Sequence, residues 1–167
     1  MSLEEDVVEL ERALTRISHL LTRARQHDRT VAEAGVAVDR ASVPLLRLLS
    51  EAGEPMRLGE LASRLAVEAP HVTRQVQRLE RTGFVERVPD PGDGRAQLVR
   101  LTMAGREAVE AIRAVGRRWM SEALVDWGPQ DRRQLTDLFH RLVDDFLDHA
   151  ERNGHLSPAD RWPRAKV

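Results

Sequence analysis

The sequence contains no cysteine, no long apolar run and no large excess of charge of either sign. Its 167 residues include no cysteine, which excludes a disulfide framework, a thiol nucleophile and a thiol redox sensor. No apolar run approaches the roughly 18 residues that a membrane-spanning helix needs. The acidic start, from Met1 to Asp6, lacks the basic and apolar regions of a signal peptide. We therefore expect a cytoplasmic protein that spans no membrane.

Sequence motifs of catalysis are also missing. There is no glycine-rich phosphate loop, no HExxH pair and no nucleophile elbow. No group of carboxylates stands out from the ordinary charges of helix surfaces. We accordingly expect no enzyme, no cofactor and no catalytic residue.

Positive charge is concentrated in the middle of the chain, although the net charge is only −1. Between Arg57 and Arg106 there are nine arginines and six acidic residues, a local surplus of three positive charges, so the remainder carries −4. Arginine has the planar fork of donors that suits phosphates and guanine edges. This distribution favours a nucleic-acid contact in the middle segment.

The two ends of the chain predict helices that need a packing partner. Apolar residues recur at spacings of three and four from Val7 to Leu21, in a helix expected to end near His27. The last predicted helix has a broad apolar face between Leu135 and Ala150. Such faces are too apolar to stand free in water. We expect the terminal helices to pack on each other and on a second subunit, the alternative being an intramolecular bundle.

The segment between these ends predicts a series of helices and a hairpin. A helix should begin at Ser42 as N-cap and close at Gly53, and a short helix should carry Met56 to Leu65. A third helix with Pro70 in its first turn should then run to Gly83. A hairpin with a longer-than-minimal loop follows, formed by the runs 84–88 and 98–101. Thr102 then caps a long helix that carries Trp119 on its apolar side.

Two short helices followed directly by a hairpin are the order of a winged helix-turn-helix, in which the second helix enters the major groove. We assign base reading to His71, Arg74 and Gln75, near the start of that helix. Phosphate contacts are assigned to Thr73, Arg78 and Arg81. A merely solvated charged face is the alternative for any one helix taken alone.

The hairpin carries two further candidates for DNA binding. Arg95 at its tip can reach a narrow minor groove, whose negative potential attracts arginine. Asp93 could hold the Arg95 guanidinium through a charge-assisted hydrogen bond. The alternative is an ordinary surface ion pair worth about 0–1 kcal/mol.

The middle third of the chain resembles the core of the MarR (multiple antibiotic resistance regulator) family of bacterial transcription factors. The most specific marks are the run Leu79-Glu80 to Arg87 and the run Asp93-x-Arg95 to Gly105. The resemblance implies a homodimer that binds a pseudo-palindromic double-stranded DNA operator, usually as a repressor. It also implies a small aromatic or anionic effector that relieves DNA binding, with Arg23, Arg47, Trp119 and Met120 as candidate lining residues. The alternative is that Trp119 belongs to the core and that the two arginines lie on the surface.

Taken together, these patterns predict a mainly α protein with a small β-hairpin wing. We expect an N-terminal dimerisation helix and connection at 1–40 and a DNA-binding lobe at 41–102. The long helix and the C-terminal dimerisation helix should occupy 103–152, and a loose tail 153–167. Two other functions stay open: a dimeric winged-helix scaffold for a protein partner, and a metal-responsive regulator. For a metal-responsive regulator, the candidate ligands are two pairs at i, i+4 in the last helix, His140 with Asp144 and Asp145 with His149.

Overall fold

A computed structural model describes residues 2–22 and 32–155 of the chain. The helices are α1 (Leu3–Thr22), α2 (Val43–Ala52), α3 (Leu58–Arg64), α4 (Ala69–Arg81), α5 (Met103–Ala123) and α6 (Pro129–Arg152), and a 3₁₀ turn at Arg40–Ser42 precedes α2. The strands are β1 (Met56–Arg57), β2 (Val85–Asp90) and β3 (Asp93–Leu101), in one antiparallel sheet of order β1-β3-β2. The expectation of a mainly α protein with a small winged helix-turn-helix sheet is confirmed.

One hydrophobic core holds the middle of the chain together. It is centred on α2, where Leu45, Leu46 and Leu48 are fully buried. Val72 and Val76 of α4 close it from one side, and residues of β3 and α5 complete it. Each such side chain stabilises the fold by about 1.5–3 kcal/mol through its removal from water. This core fixes α4 and the hairpin on a common support.

The first strand of the sheet is the main difference from the sequence prediction. Met56, expected in a helix, lies in β1 and pairs with Val99 of β3, and its side chain is 2% exposed. Two residues of strand give no periodic signal, and the pairing partner is far away in sequence. The helical prediction for Met56 was therefore wrong, and α3 begins only at Leu58.

The ends of the central helices follow most of the predicted signals. Gly53 ends α2 in the left-handed conformation at φ 70°, which glycine adopts without a Cβ penalty. The Thr102 hydroxyl accepts a hydrogen bond from the Gly105 backbone N–H at 3.1 Å and so caps α5, as predicted. Ser42 differs, because its hydroxyl donates to Asp39 Oδ2 at 2.8 Å and makes no cap bond to α2.

The terminal helices leave their apolar faces uncovered in the single chain. In α1, Val7, Leu10 and Ile17 are each about half exposed, at 54%, 41% and 42%. No residue of α6 is buried, and Phe146 is 58% exposed. None of the helices in the described ranges is both long and apolar enough to cross a membrane. The predicted end of the first helix near His27 and most of the predicted tail lie outside the described residues.

Candidate nucleic-acid interface

The helix α4 presents a polar face opposite its buried stripe. Val72, Val76 and Leu79 are buried at spacings of four and three, which turns the remaining side chains of the helix outward. Pro70 stands in the first turn, as predicted. His71, Arg74 and Arg78 are exposed on the outer face. We call α4 the recognition helix.

Gln75 is tied to the protein by both of its amide donors. Its Nε2 lies 2.9 Å from the carbonyl oxygen of Ala41 and 2.9 Å from His71 Nε2. The first bond links the recognition helix to the 3₁₀ turn before α2. A bidentate contact of this amide with adenine would require both bonds to be given up. The sequence prediction made Gln75 a base reader, whereas these two bonds favour a role as a link within the lobe.

Arg78 is tied to the same turn through Asp39. Arg78 Nη1 lies 3.2 Å from Asp39 Oδ2, and the Ser42 backbone N–H donates to Asp39 Oδ1 at 3.1 Å. Partial burial alone would raise the pKa of Asp39, but hydrogen bonds from Ser42 and Arg78 outweigh it. The pKa of Asp39 therefore lies below its ordinary value of 3.8.

The two remaining candidates on α4 bond to their own helix. The Thr73 hydroxyl donates to the Ala69 carbonyl oxygen at 2.9 Å. Arg81 Nε donates to the Gln77 carbonyl oxygen at 3.3 Å. Such local bonds are weak and solvent-exposed, so both side chains can turn toward a phosphate at small cost.

The wing, formed by β2 and β3, ends in an irregular tip. Regular pairing runs from Val85 with Leu101 to Pro89 with Gln97, and after a register shift Asp90 pairs with Asp93. Residues 94–96 are thereby left without partners in β2, and Arg95 stands exposed among them. We call residues 90–96 the wing tip. The predicted place of Arg95 at the tip of the hairpin agrees with this geometry.

The predicted bond between Asp93 and the Arg95 guanidinium is corrected by the structure. Asp93 Oδ1 instead accepts a hydrogen bond from the Arg95 backbone N–H at 3.1 Å. This is the local turn bond that aspartate favours, in which the side chain bonds the backbone two residues on. Asp93 thus shapes the backbone of the tip and does not hold the guanidinium.

A second carboxylate at the wing tip was missed by sequence reasoning. Asp90 Oδ2 accepts from Arg57 Nε at 2.7 Å and lies 2.5 Å from Arg57 Nη2. Asp90 Oδ1 accepts from the Gly92 backbone N–H at 2.8 Å. The bond to Gly92, followed by that to Arg57, holds the pKa of Asp90 below its ordinary value of 3.8. No local signal joins Arg57 to Asp90, because 33 residues separate them.

Most arginines of the middle segment are already engaged inside the chain. Of the nine between residues 57 and 106, five form ion pairs with acidic residues and two bond a backbone carbonyl oxygen. The two whose guanidinium groups make no hydrogen bond or ion pair within the described ranges are Arg74 and Arg95. One lies on the recognition helix and the other at the wing tip. Of these nine arginines, the two left for a ligand are therefore those at the two places where a winged helix meets DNA.

The predicted effector residues lie on different elements. Arg23 is outside the described residues. Arg47 lies half-buried on α2, and its buried Nε has no hydrogen-bond partner among the described residues. Trp119 and Met120 on α5 are 43% and 55% exposed, so Trp119 lies outside the core of the single chain. An open cleft of about 530 Å³ lies elsewhere, beside the turn between α5 and α6, and is lined by Asp126, Trp127, Asp131, Gln134, Leu135 and Leu138.

The acidic and histidine pairs of α6 do not gather into a metal cluster. Within the described part of the chain, no three His, Cys, Asp or Glu side chains are placed to hold one ion. Asp145 lies 3.7 Å from Arg141 Nε, a cation that would compete with a metal. His140, Asp144 and His149 gain no third ligand from this geometry.

Comparison with known proteins agrees with the winged-helix geometry. A model of the MarR family matches residues 39–96. The HTH-type transcriptional regulator YdgJ of Bacillus subtilis is 34% identical over 110 residues, which cover 66% of each chain. The regulator YxaD of the same species is 31% identical over 111 residues, covering 66% of this chain and 77% of that one. This chain thus spans about two thirds or more of the length of these relatives.

A solved structure shows the same fold over most of the chain. The MarR family protein from Bacillus stearothermophilus superposes with a TM-score of 0.77 at 22% identity, over 88% of this chain and 99% of that one. The two Bacillus subtilis relatives are named as transcriptional regulators, which confirms the expectation of a regulator and not an enzyme. The chain belongs to the MarR family and is a transcriptional regulator with a DNA-binding winged-helix fold.

Proposed function

We propose that the protein is a cytoplasmic, homodimeric repressor that binds a pseudo-palindromic operator and releases it when a small ligand binds. The observation that carries the DNA contact is the inventory of arginines in the lobe. Among the nine, the guanidinium groups of Arg74 and Arg95 have no partner within the described part of the chain, and they lie on the recognition helix and the wing tip. An unpaired guanidinium can meet a guanine edge or a phosphate without first breaking a bond.

On this proposal Arg74 reads a base in the major groove, with His71 beside it. Thr73, Arg78 and Arg81 contact phosphates, and Gln75 keeps the helix against the 3₁₀ turn. Arg95 enters the adjacent minor groove, and Asp93 shapes the backbone that carries it. Two recognition helices of a dimer would then read half-sites about 10 base pairs, or a small multiple, apart.

The dimer is proposed from the uncovered apolar faces of the terminal helices. Leu10 and Ile17 of α1, with Val143 and Phe146 of α6, are each exposed by roughly half. Large apolar side chains exposed along two helix faces mark an association site. A second copy of the chain is the occupant that would cover both helices at once. We also propose the division of the chain into dimerisation segments at 1–40 and 103–152 and a DNA-binding lobe at 41–102, because the uncovered apolar faces lie on α1 and α6.

Ligand control is proposed to act between the dimer helices and the lobe. Arg47, with its half-buried guanidinium on α2, and the exposed Trp119 and Met120 of α5 are the described candidates. A ligand there would change the spacing of the two lobes by a rigid-body shift. A metal-responsive regulator is not favoured, since α6 offers no cluster of ligands among the residues described.

The DNA contact is tested by replacing the free arginines and one paired arginine. Arg74→Ala should weaken operator binding by about 1–3 kcal/mol and relax one base position. Arg95→Ala should weaken binding with little change of preference in the half-sites. Arg100→Ala is the matched control, because Arg100 is exposed but pairs with Glu86 at 2.8 Å. Equal effects of all three substitutions would contradict the assignment, as would no effect of the first two.

A further inference from the structure

Asp90 is placed where the regular pairing of the wing ends and the irregular tip begins. Its side chain is only 9% exposed. An aspartate buried to this extent needs partners for its carboxylate. One carboxylate oxygen bonds the Gly92 backbone N–H, inside the tip. The other bonds two nitrogens of Arg57, outside the wing. Asp90 therefore joins the wing tip to a different element of the lobe.

That other element leads directly into the helix-turn-helix. Arg57 lies in β1, pairs with Leu98 of β3, and is the residue that immediately precedes α3. β1 is two residues long, so its ladder bonds to β3 are few. The bond from Arg57 to Asp90 adds a side-chain tie farther out, near the tip. It links the position of the tip to the start of the helix-turn-helix.

The tie contributes little to folding as an isolated ion pair. Arg57 is 56% exposed, and pairs with one solvated partner contribute little to stability. Its geometry is directional, however, since two donors of one guanidinium converge on one oxygen. Gly94, Arg95 and Ala96 project from the turn that Asp90 holds, without ladder partners of their own. The direction of Arg95 thus depends on how that turn is held.

We propose that Arg57 and Asp90 are positioning residues that fix the wing tip against the helix-turn-helix, so that Arg95 meets its groove in register with the recognition helix. The proposal rests on the proposed contact of Arg95 with DNA. Neither Arg57 nor Asp90 needs to touch DNA itself. Their contribution is the orientation of Arg95 before binding, which spares the complex the cost of ordering a loose wing.

The sharpest variant is Asp90→Asn. An asparagine oxygen can still accept from the Gly92 backbone N–H, but its amide nitrogen would face the donors of Arg57 and cannot accept from them. The substitution also removes one negative charge, which by itself should tighten DNA binding. Glu86→Gln is the matched control, because it removes the same charge from the same hairpin and breaks the pair with Arg100. We expect Asp90→Asn to weaken operator binding about tenfold and Glu86→Gln to leave it equal or tighter.

A double-substitution cycle separates positioning from general damage. Operator affinity is measured at one salt concentration for Asp90→Asn, Arg95→Ala and the two together, with thermal melts to compare the fold. If Asp90 acts through Arg95, the double variant should bind no more weakly than Arg95→Ala alone. Asp90→Asn binding as tightly as wild type would overturn the proposal, and so would losses that multiply in the double variant.

A second variant covers the case in which Asp90→Asn fails to fold. Arg57→Gln changes a half-exposed surface side chain, and Arg100→Gln removes the same charge from the same sheet as its control. Arg57→Gln should weaken binding beyond Arg100→Gln, and this excess should vanish in the Arg95→Ala background. If Arg95→Ala itself leaves affinity unchanged, the proposed wing contact fails together with this inference. If Arg95→Ala weakens binding but Asp90→Asn and Arg57→Gln do not, only the inference fails.

Discussion

Replacing Gly105 by alanine should destabilise the fold, although alanine is the better helix former. Gly105 is buried in the first turn of α5, where a Cβ atom would lie 2.0 Å from the backbone carbonyl oxygen of Phe84 and 3.2 Å from Leu101 Cδ2. Relief of that contact needs a backbone shift of about 1 Å. The carbonyl is not free to give way, because it accepts from the Thr102 backbone N–H at 3.1 Å.

The expected size of the effect follows from three contributions. Overpacking a tight site costs about 1–3 kcal/mol. The shift also strains the bond to Phe84 and the bond from the Thr102 hydroxyl to Gly83 O at 2.6 Å, each worth about 1 kcal/mol. The higher helix propensity of alanine offsets at most about 1 kcal/mol of this cost. We therefore expect Gly105→Ala to lower the free energy of unfolding by about 2–4 kcal/mol.

The same helix offers a matched control for this prediction. A Cβ at Gly116 would meet no atom within 4 Å, so Gly116→Ala should raise the free energy of unfolding by about 0.5–1 kcal/mol. Both variants are measured by urea denaturation followed by circular dichroism, at one protein concentration because the proposed dimer would make stability depend on concentration. A Gly105→Ala variant as stable as wild type would refute the reasoning, whatever the control shows.

Three further predictions concern the recognition helix, acid stability and association. Gln75→Ala should lower the free energy of unfolding by about 1 kcal/mol through loss of the bond to the 3₁₀ turn, while base preference in a binding-site selection stays as in wild type. Because folding lowers the pKa of Asp39, its ionised carboxylate stabilises the fold fully at pH values above the ordinary pKa of 3.8. This stabilisation is lost as the pH falls through the lowered pKa. The difference in urea midpoint between wild type and Asp39→Asn should accordingly shrink from pH 7 to pH 2, and a constant difference would contradict it. Phe146→Glu should convert the proposed dimer to monomer in light scattering after gel filtration, whereas Arg141→Glu on the opposite face of α6 should not.

The order of elements could be predicted because it depends on local patterns. The stripe of Val72, Val76 and Leu79 fixes which side of α4 is buried, and so which side chains are exposed. Thr102 and Gly53 mark helix ends by chemistry that acts within a few residues. These features need no knowledge of distant parts of the chain.

The partners of exposed side chains could not be predicted in the same way. Gln75 and Arg78 are on the expected face, but their partners Ala41 and Asp39 come from more than thirty residues away. Adjacency in sequence suggested that Asp93 would hold the Arg95 guanidinium. The ion pair at the wing tip instead joins Asp90 to Arg57 of β1, a strand too short to give a periodic signal in the sequence. Periodicity gives the face of a helix, and only the tertiary fold gives the contacts made there.

Specific binding to DNA is the central claim, and a mobility-shift titration tests it most directly. The purified protein is titrated on the intergenic DNA upstream of its own gene, at two salt concentrations, with and without competitor DNA. We expect tight binding that falls steeply as the salt concentration rises and that resists competitor DNA. Binding that unrelated competitor DNA abolishes, or no binding at either salt concentration, would contradict specific DNA binding.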